Sequence, residues 1–357
     1  MLRKTNPRTV WLLLYLWATY LLTRLFADFS SLTGYPTMSL NAMVNGTAVR
    51  PFVSRALVPI LIRWITAHTS EFFQYQVMIG ATSRGFATEF YVHGYTLEKA
   101  LLLALTFCFY FATALIIRAL ARRYYGLGEA ASWCAGLASL AFIPLLFTYY
   151  NHIYDPPTIF FSAAMLMACT SDSTIAFCLV FLPASVNRET AVLFLPVYLV
   201  FHFIRLRPLL ASDRPRFLRR AAAPLLCAAA MAAAWYAIRF QINQRFLHNP
   251  GGVLDFHLLD HNLQLFSAAP VAAPWSLFIV LVIAFFCISG WRSKPEALRW
   301  SLLLVFIPLF TGSILFAYVE EIRHYFELYP MLFLLALPSV METLGLAPTA
   351  EATAHHS

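Results

Sequence analysis

The chain has 357 residues, of which 60% are hydrophobic and 12% charged, with a mean hydropathy of +0.68. A soluble domain carries about 25% charged residues, and disorder requires low hydrophobicity, so both classes are excluded. The net charge of +8 comes from small basic groups between apolar runs, which is typical of a membrane protein and not of a nucleic-acid-binding face. The composition predicts an all-α, polytopic transmembrane bundle with about ten spans.

Ten apolar runs follow one another along the chain, and each is expected to form a helix. In chain order they are 10–26, 100–117, 131–149, 157–170, 174–186, 190–204, 221–242, 275–290, 300–318 and 329–344.

The first two runs indicate the orientation of the chain. Basic residues precede the run 10–26 and follow the run 100–117, and membrane proteins retain positive charge on the cytoplasmic side. The segment 28–99 between these runs is therefore expected to be a long outer loop. Within it, 51–65 is too short and too charged to span, and its apolar residues have helical spacing. This pattern favours a helix lying in the membrane interface.

The number of crossings within 157–204 sets the topology of the second half. Two of its three runs are about 14 residues long, near 20 Å of helix, against a hydrocarbon core of about 30 Å. The following loop 205–220 holds six arginines and is expected to be cytoplasmic. Three crossings satisfy this, as does one crossing with a re-entrant hairpin. Three crossings give ten spans with both termini cytoplasmic, a single transmembrane domain over 1–346 and a disordered tail over 347–357.

Four polar clusters remain, and this topology places all of them on the outer side. They are Asp28 with Arg24, the segment 151–157, the segment 187–190 and the segment 320–327. The six cysteines all fall inside apolar runs without a ligand spacing, so no cofactor is expected and a divalent metal has no support.

Three of these clusters also have a purely structural interpretation. Asp155 precedes two prolines and is placed to cap the following helix by accepting from its free N–H groups. Arg188 and Glu189 could form an ion pair, but neighbours on a helix do not face each other, so different partners are expected. The spacing of Glu320, Arg323, His324 and Glu327 predicts one shared helical face, which could simply be solvated.

The chemistry of these clusters is that of carboxylate bases and phosphate-binding arginines. Carboxylates can accept protons, and guanidinium groups hold phosphate oxygens in a bidentate way. A transporter would place its charges near the bilayer midplane, on broken helices with repeat symmetry, and the chain shows no such repeat.

The sequence resembles bacterial integral membrane proteins of the GT-C glycosyltransferase type. The likeness covers the overall architecture, and its local segments are RPFVSRALVP at 50–59, YDPPT at 154–158, NRET at 187–190 and EIRHYFE at 321–327. Members of this type usually present one or two acidic residues just beyond the first helix. Asp28 matches that place, while Phe29 stands where a second acid would be. Either Asp28 or Asp155 could therefore be the catalytic base.

The resemblance implies a transfer of sugar from a polyprenyl-phosphate carrier to an envelope glycan, lipid or protein acceptor on the outer face of the bacterial inner membrane. Asp28 or Asp155 would act as the base in an inverting reaction. The residues expected to contact the substrate are Arg55, Tyr154, Arg188, Glu189, Arg323, His324 and Glu327. Among these, the arginines would stabilise the leaving phosphate, and His324 and Glu327 would orient the sugar.

Two other classes stay open at this point. One is a transporter or flippase of a lipid-linked precursor, and the other is a non-catalytic membrane subunit of an envelope assembly complex. A non-catalytic subunit would tolerate neutral replacements at Asp28 and Arg188.

Overall fold

The computed structural model describes residues 6–28, 30, 36–83, 97–147, 151–252, 256–264, 274–319 and 321–346. Within these ranges the protein is all-α, as predicted, with thirteen α-helices. They are α1 (Pro7–Asp28), α2 (Leu40–Asn45), α3 (Leu57–Ala67), α4 (Glu71–Ser83), α5 (Leu97–Tyr125), α6 (Glu129–Phe142), α7 (Asp155–Thr170), α8 (Thr174–Asn187), α9 (Phe194–Ser212), α10 (Arg214–Arg245), α11 (Pro274–Ile288), α12 (Glu296–Phe316) and α13 (Tyr329–Thr343). The tail 347–357, predicted to be disordered, and Glu320 lie outside the described residues.

Each of the ten apolar runs corresponds to a helix, but the helices differ in their ability to span a membrane. Six stretches of the described chain are long and apolar enough. They are α1, α5, α6 with the 3-10 turn that extends it to Leu146, α9 with the 3-10 turn that begins at Glu189, α10 and α12. The helices α7, α8, α11 and α13 have 14 to 16 residues, about 21–24 Å of helix, and fall short of that length.

The segment 51–65, predicted to form an interfacial helix, is helical over a different range. A 3-10 turn covers Phe52–Ser54, and α3 begins only at Leu57, so Arg55 lies in the connection and not on the helix. Val58 and Ile62 are buried on one face of α3, while Trp64 is 61% exposed on the other. The helix therefore has one apolar face packed on the bundle, and its other face, with Trp64, is exposed.

The bundle is built around α5 and α7. Helix α5 packs against α1, α6 and α7, while α10 lies against α8 and α9, and α13 against α11. At Gly136 of α6 the backbones come so close that an added Cβ would lie 2.7 Å from Ala114 O and closer still to Tyr15 Oη. Small residues permit such contact where lipid provides no hydrophobic drive for helices to associate.

Charged groups gather at two opposite ends of the bundle. At one end, Glu129 accepts from Arg118 at 2.9 Å and Arg122 at 3.2 Å, and Arg205 pairs with Asp172. Three more helices reach this end of the bundle: α7 with its C-terminus, α8 with its N-terminus and α9 with its second half. The candidate site lies at the opposite end of the bundle. There the other ends of these three helices meet the C-terminal ends of α10 and α12.

Candidate functional site

The break between α8 and α9 positions two charged side chains in different directions. Arg188 has extended backbone angles, φ −152° and ψ 142°, between α8 and the 3-10 turn Glu189–Leu193. The guanidinium of Arg188 approaches Glu327 at 3.3 Å, whereas Glu189 accepts from Arg55 at 3.0 Å. The expectation that Arg188 and Glu189 have separate partners is confirmed.

The Arg188–Glu327 pair is almost completely buried. The two side chains are 7% and 2% exposed, and the hydroxyl of Thr190 also donates to Glu327. A buried ion pair is tolerated only when further hydrogen bonds satisfy its remaining atoms, because taking two charges out of water is costly. Glu327 thus holds Arg188 in place from behind.

Glu189 joins three parts of the chain. Its carboxylate lies 3.0 Å from Arg55, which precedes α3, and 3.6 Å from Arg239 of α10. The guanidinium of Arg55 also stacks over the ring of Tyr154, 4.3 Å from its centroid. Burial lowers the pKa of Arg55, but the charge of Glu189 and the neighbouring Tyr154 raise it by more, so Arg55 remains a cation.

A second carboxylate group organises the turn Ile322–Leu328. Oε2 of Glu321 accepts from Arg323 at 2.6 Å and 2.8 Å and lies 3.0 Å from Nε2 of His324. Burial, and then the charges of Arg323, Arg188 and Arg55, hold the pKa of His324 well below its ordinary value. The imidazole is therefore neutral at pH 7.

The prediction of one helical face for Arg323, His324 and Glu327 is wrong. The segment is a 3-10 turn with a kink at Tyr325, whose φ is −108° and ψ 15°. Arg323 and His324 contact Glu321, whereas Glu327 contacts Arg188.

The two carboxylates expected to act as bases lie apart from this cluster. Asp28 is exposed at the end of α1, without an ion pair or hydrogen bond to any described residue. Asp155 is 1% exposed, and its Oδ2 accepts from the backbone N–H of His152 at 2.7 Å. The predicted helix cap is wrong, because this N–H precedes α7 and does not belong to its first turn. Oδ1 of Asp155 has no hydrogen-bond partner among the described residues.

The charged residues face a cavity of about 580 Å³. Its polar wall is formed by Arg50, Arg55, Arg188, Arg323, Glu189, Glu321, His257 and His324. Apolar side chains complete the lining, with Leu193 from the α8–α9 connection, Trp235 from α10, and Leu309 and Phe316 from α12. Asp28 and Asp155 are not among the described residues that line it, and neither are Tyr154 and Glu327, which contact lining residues from behind.

Sequence reasoning missed several members of this site. Arg239 lies inside the apolar run 221–242, where a charge costs about 2.5–3.5 kcal/mol, so its position was a usable signal. Glu321 was part of a polar cluster but had no assigned role. Trp235, whose indole N–H donates to Glu189 O at 3.0 Å, had no signal, because a tryptophan in an apolar helix is common.

Comparison with protein-family models, curated proteins and solved structures finds no match for this chain. The fold and the site therefore define its class: an all-helical protein whose six candidate membrane-spanning helices indicate an integral membrane protein. At one end of the bundle it carries a cavity that is lined by arginines and by apolar side chains.

Proposed function

We propose that the protein is a membrane glycosyltransferase that takes a sugar from a polyprenyl-phosphate carrier and transfers it to an envelope acceptor. The observation that carries the proposal is the mixed lining of the cavity, which combines four arginines with large apolar side chains at one end of the bundle. A lipid-linked sugar phosphate likewise combines an anionic group with a hydrocarbon chain.

The charge of the cavity favours an anionic ligand. Four arginines and two glutamates line it, which leaves two positive charges in excess. Arg239 and Glu327, which pair with lining residues from behind, add one charge of each sign and leave this excess unchanged. Arginine binds phosphate oxygens in a bidentate geometry, and a preorganised cation stabilises the charge that develops on a leaving phosphate.

The proposed topology has ten spans and places this cavity at the outer face of a bacterial inner membrane. The reversals between α7, α8 and α9 support three crossings in this region, since all three helices run between the same two charged ends. Both termini and the arginine-rich loop then lie in the cytoplasm, in agreement with the positive-inside tendency.

In the proposed reaction, the acceptor oxygen attacks the anomeric carbon in line and polyprenyl phosphate leaves with inversion. Arg55, Arg188 and Arg323 hold the phosphate, and their carboxylate partners keep the guanidinium groups in place. The apolar lining residues receive the first part of the hydrocarbon chain. Sugar, acceptor and lipid are the partners this implies.

The phosphate site is tested by binding farnesyl phosphate to the purified protein, with farnesol as the uncharged control. Arg55→Gln and Arg323→Gln are each expected to weaken binding of farnesyl phosphate about ten- to hundredfold, since a hydrogen bond to a charged group contributes about 1.5–3 kcal/mol. Arg245→Gln, which removes an exposed arginine at the end of α10, is the matched control and should bind as the parent does.

Two outcomes would contradict the proposal. Equal binding of farnesol and farnesyl phosphate would show that the arginines do not recognise phosphate. Phosphate-dependent binding, with no cleavage of any polyprenyl-phosphate sugar, would favour a flippase or transporter of the same lipid.

A further inference from the structure

The proposed reaction needs a group that removes the proton of the acceptor hydroxyl. Asp28 and Asp155 are outside the cavity lining, and Glu189 is held by two arginines. Glu327 lies behind the wall and is occupied by Arg188 and Thr190.

The Glu321–His324 pair has the geometry of a proton acceptor. Both residues line the cavity, and the distance from Oε2 of Glu321 to Nε2 of His324 is 3.0 Å. Because a carboxylate can only accept, Nε2 carries the hydrogen, and Nδ1 keeps its lone pair. The side chain of His324 is 20% exposed and that of Glu321 is 4% exposed, so the imidazole is accessible while the carboxylate that orients it is enclosed. A carboxylate that fixes the tautomer of an imidazole and stabilises its protonated form is the arrangement that activates histidine bases.

We propose that His324 is the catalytic base of this transferase and that Glu321 is its positioning residue, an inference that rests on the proposed function. Nδ1 of His324 takes the proton from the acceptor hydroxyl while that oxygen forms its bond to the anomeric carbon. The bond from the anomeric carbon to the phosphate oxygen breaks, and its electron pair leaves with polyprenyl phosphate. The imidazolium then returns its proton to the product phosphate or to water.

The surrounding charges couple this step to binding of the donor. Burial and the charges of Arg323, Arg188 and Arg55 lower the pKa of His324, whereas Glu189 opposes them. Glu321 contacts the imidazole directly, and Arg50, His257 and Tyr318 are the further titratable groups among the described residues that line the cavity. A bound phosphate neutralises part of the arginine charge and so raises the pKa of His324. The histidine becomes a stronger base when the donor is in place.

The test measures release of polyprenyl phosphate from twenty-carbon polyprenyl phosphates that carry glucose, mannose, galactose, N-acetylglucosamine or arabinose, with water and short alcohols as acceptors. His324→Gln should reduce release at least 100-fold, within the range of about 10²–10⁴ for loss of a general base. Binding of farnesyl phosphate should stay within threefold of the parent, which shows that the variant is folded. His248→Gln, an exposed histidine beyond α10, is the control and should retain full activity.

Two further variants separate catalysis from structure. His324→Ala opens a space beside the cavity, and added imidazole should restore part of its activity. Glu321→Gln removes the negative charge beside the imidazole, which lowers the pKa of His324. The acidic limb of the kcat/KM profile should therefore move to lower pH, and the maximum of the profile should fall. A purely structural role for Glu321 would lower the profile without moving it.

The outcomes distinguish this inference from the function on which it rests. If the parent protein cleaves none of the sugar phosphates, the proposed function is wrong and the base assignment falls with it. If the parent cleaves one of them and His324→Gln keeps more than a third of the rate, the base assignment alone is wrong. An Ala variant that binds farnesyl phosphate but is not rescued by imidazole also contradicts it.

Discussion

Glu327 shows how a single carboxylate can hold a cationic site together. It is 2% exposed and lies 3.3 Å from the guanidinium of Arg188, which faces the cavity. Losing one partner of such a pair leaves the other charge buried without compensation. Replacing both partners by apolar side chains removes that problem, because no charge then remains to be desolvated.

We therefore expect Glu327→Leu to lower the free energy of unfolding by about 3–5 kcal/mol, the range for breaking a buried pair. The double variant Arg188→Met with Glu327→Leu should recover most of this loss. Titration with SDS in mixed micelles measures the apparent free energy of unfolding for each protein.

A matched exposed pair provides the control for this prediction. Arg207 and Glu296 are 3.0 Å apart at the opposite end of the bundle, with side chains 57% and 34% exposed. Arg207→Met should change the free energy of unfolding by less than about 1 kcal/mol. If the single and double variants at Glu327 lost the same free energy of unfolding, the loss would come from altered packing and not from the unpaired charge of Arg188.

At the residue scale, the sequence predicted which side chains need partners but not which partners they have. Arg188 and Glu189 are adjacent, and helical geometry alone separates their directions. Arg188 binds Glu327 from 139 positions further along the chain, and Glu189 binds Arg239 from another helix. Such pairing depends on tertiary packing, which a local pattern does not contain.

At the scale of the elements, the apolar runs predicted the helices well and their ends poorly. Long hydrophobic runs form helices in an apolar medium because every backbone group must be satisfied internally. The ends follow local turn chemistry, as in the 3-10 turn Ile322–Leu328, where helical spacing predicted the wrong face. The cavity is built from these ends, so the sequence indicated Arg188 and His324 as site residues but not Glu321 and His257, and it did not indicate how these residues are arranged.

The close approach of α1, α5 and α6 supplies a prediction at this scale. Gly136→Ala places a methyl group against Tyr15 Oη and Ala114 O, where Tyr15 donates to Trp133 O at 2.8 Å. The clash should break this hydrogen bond or separate the helices and cost about 1–3 kcal/mol, as overpacking does. Thermal unfolding in detergent measures the change.

Gly128→Ala is the control for the same substitution at the start of the same helix. An added Cβ at Gly128 meets no atom within 4 Å, so its effect should stay within about 1 kcal/mol. If both variants unfolded at the same temperature, the close packing at Gly136 would not contribute to stability.

At the scale of the whole molecule, charged side chains gather at the two ends of the bundle, and this agrees with a bundle that crosses a membrane. One end carries basic side chains held by Glu129, Asp172 and Glu296, while the other encloses the cavity. The helices α7 and α8 are short, but they run between these same ends together with α9. If all three helices cross completely, the loop after α9 lies on the side of the membrane opposite to the segment 28–99.

This arrangement can be tested with single cysteines at two exposed serines. Ser70 lies between α3 and α4, in the segment predicted to be an outer loop, and Ser212 lies at the end of α9. With three crossings in α7–α9, Ser70→Cys should react with a membrane-impermeant maleimide in intact cells, and Ser212→Cys should react only after permeabilisation. The unsubstituted chain, with its six cysteines in apolar helices, measures the background. His248→Cys, one helix further on, should react as Ser70→Cys does. Reaction of both serine variants in intact cells would require an even number of crossings between them, which would place the arginine-rich loop outside the cell against the positive-inside tendency.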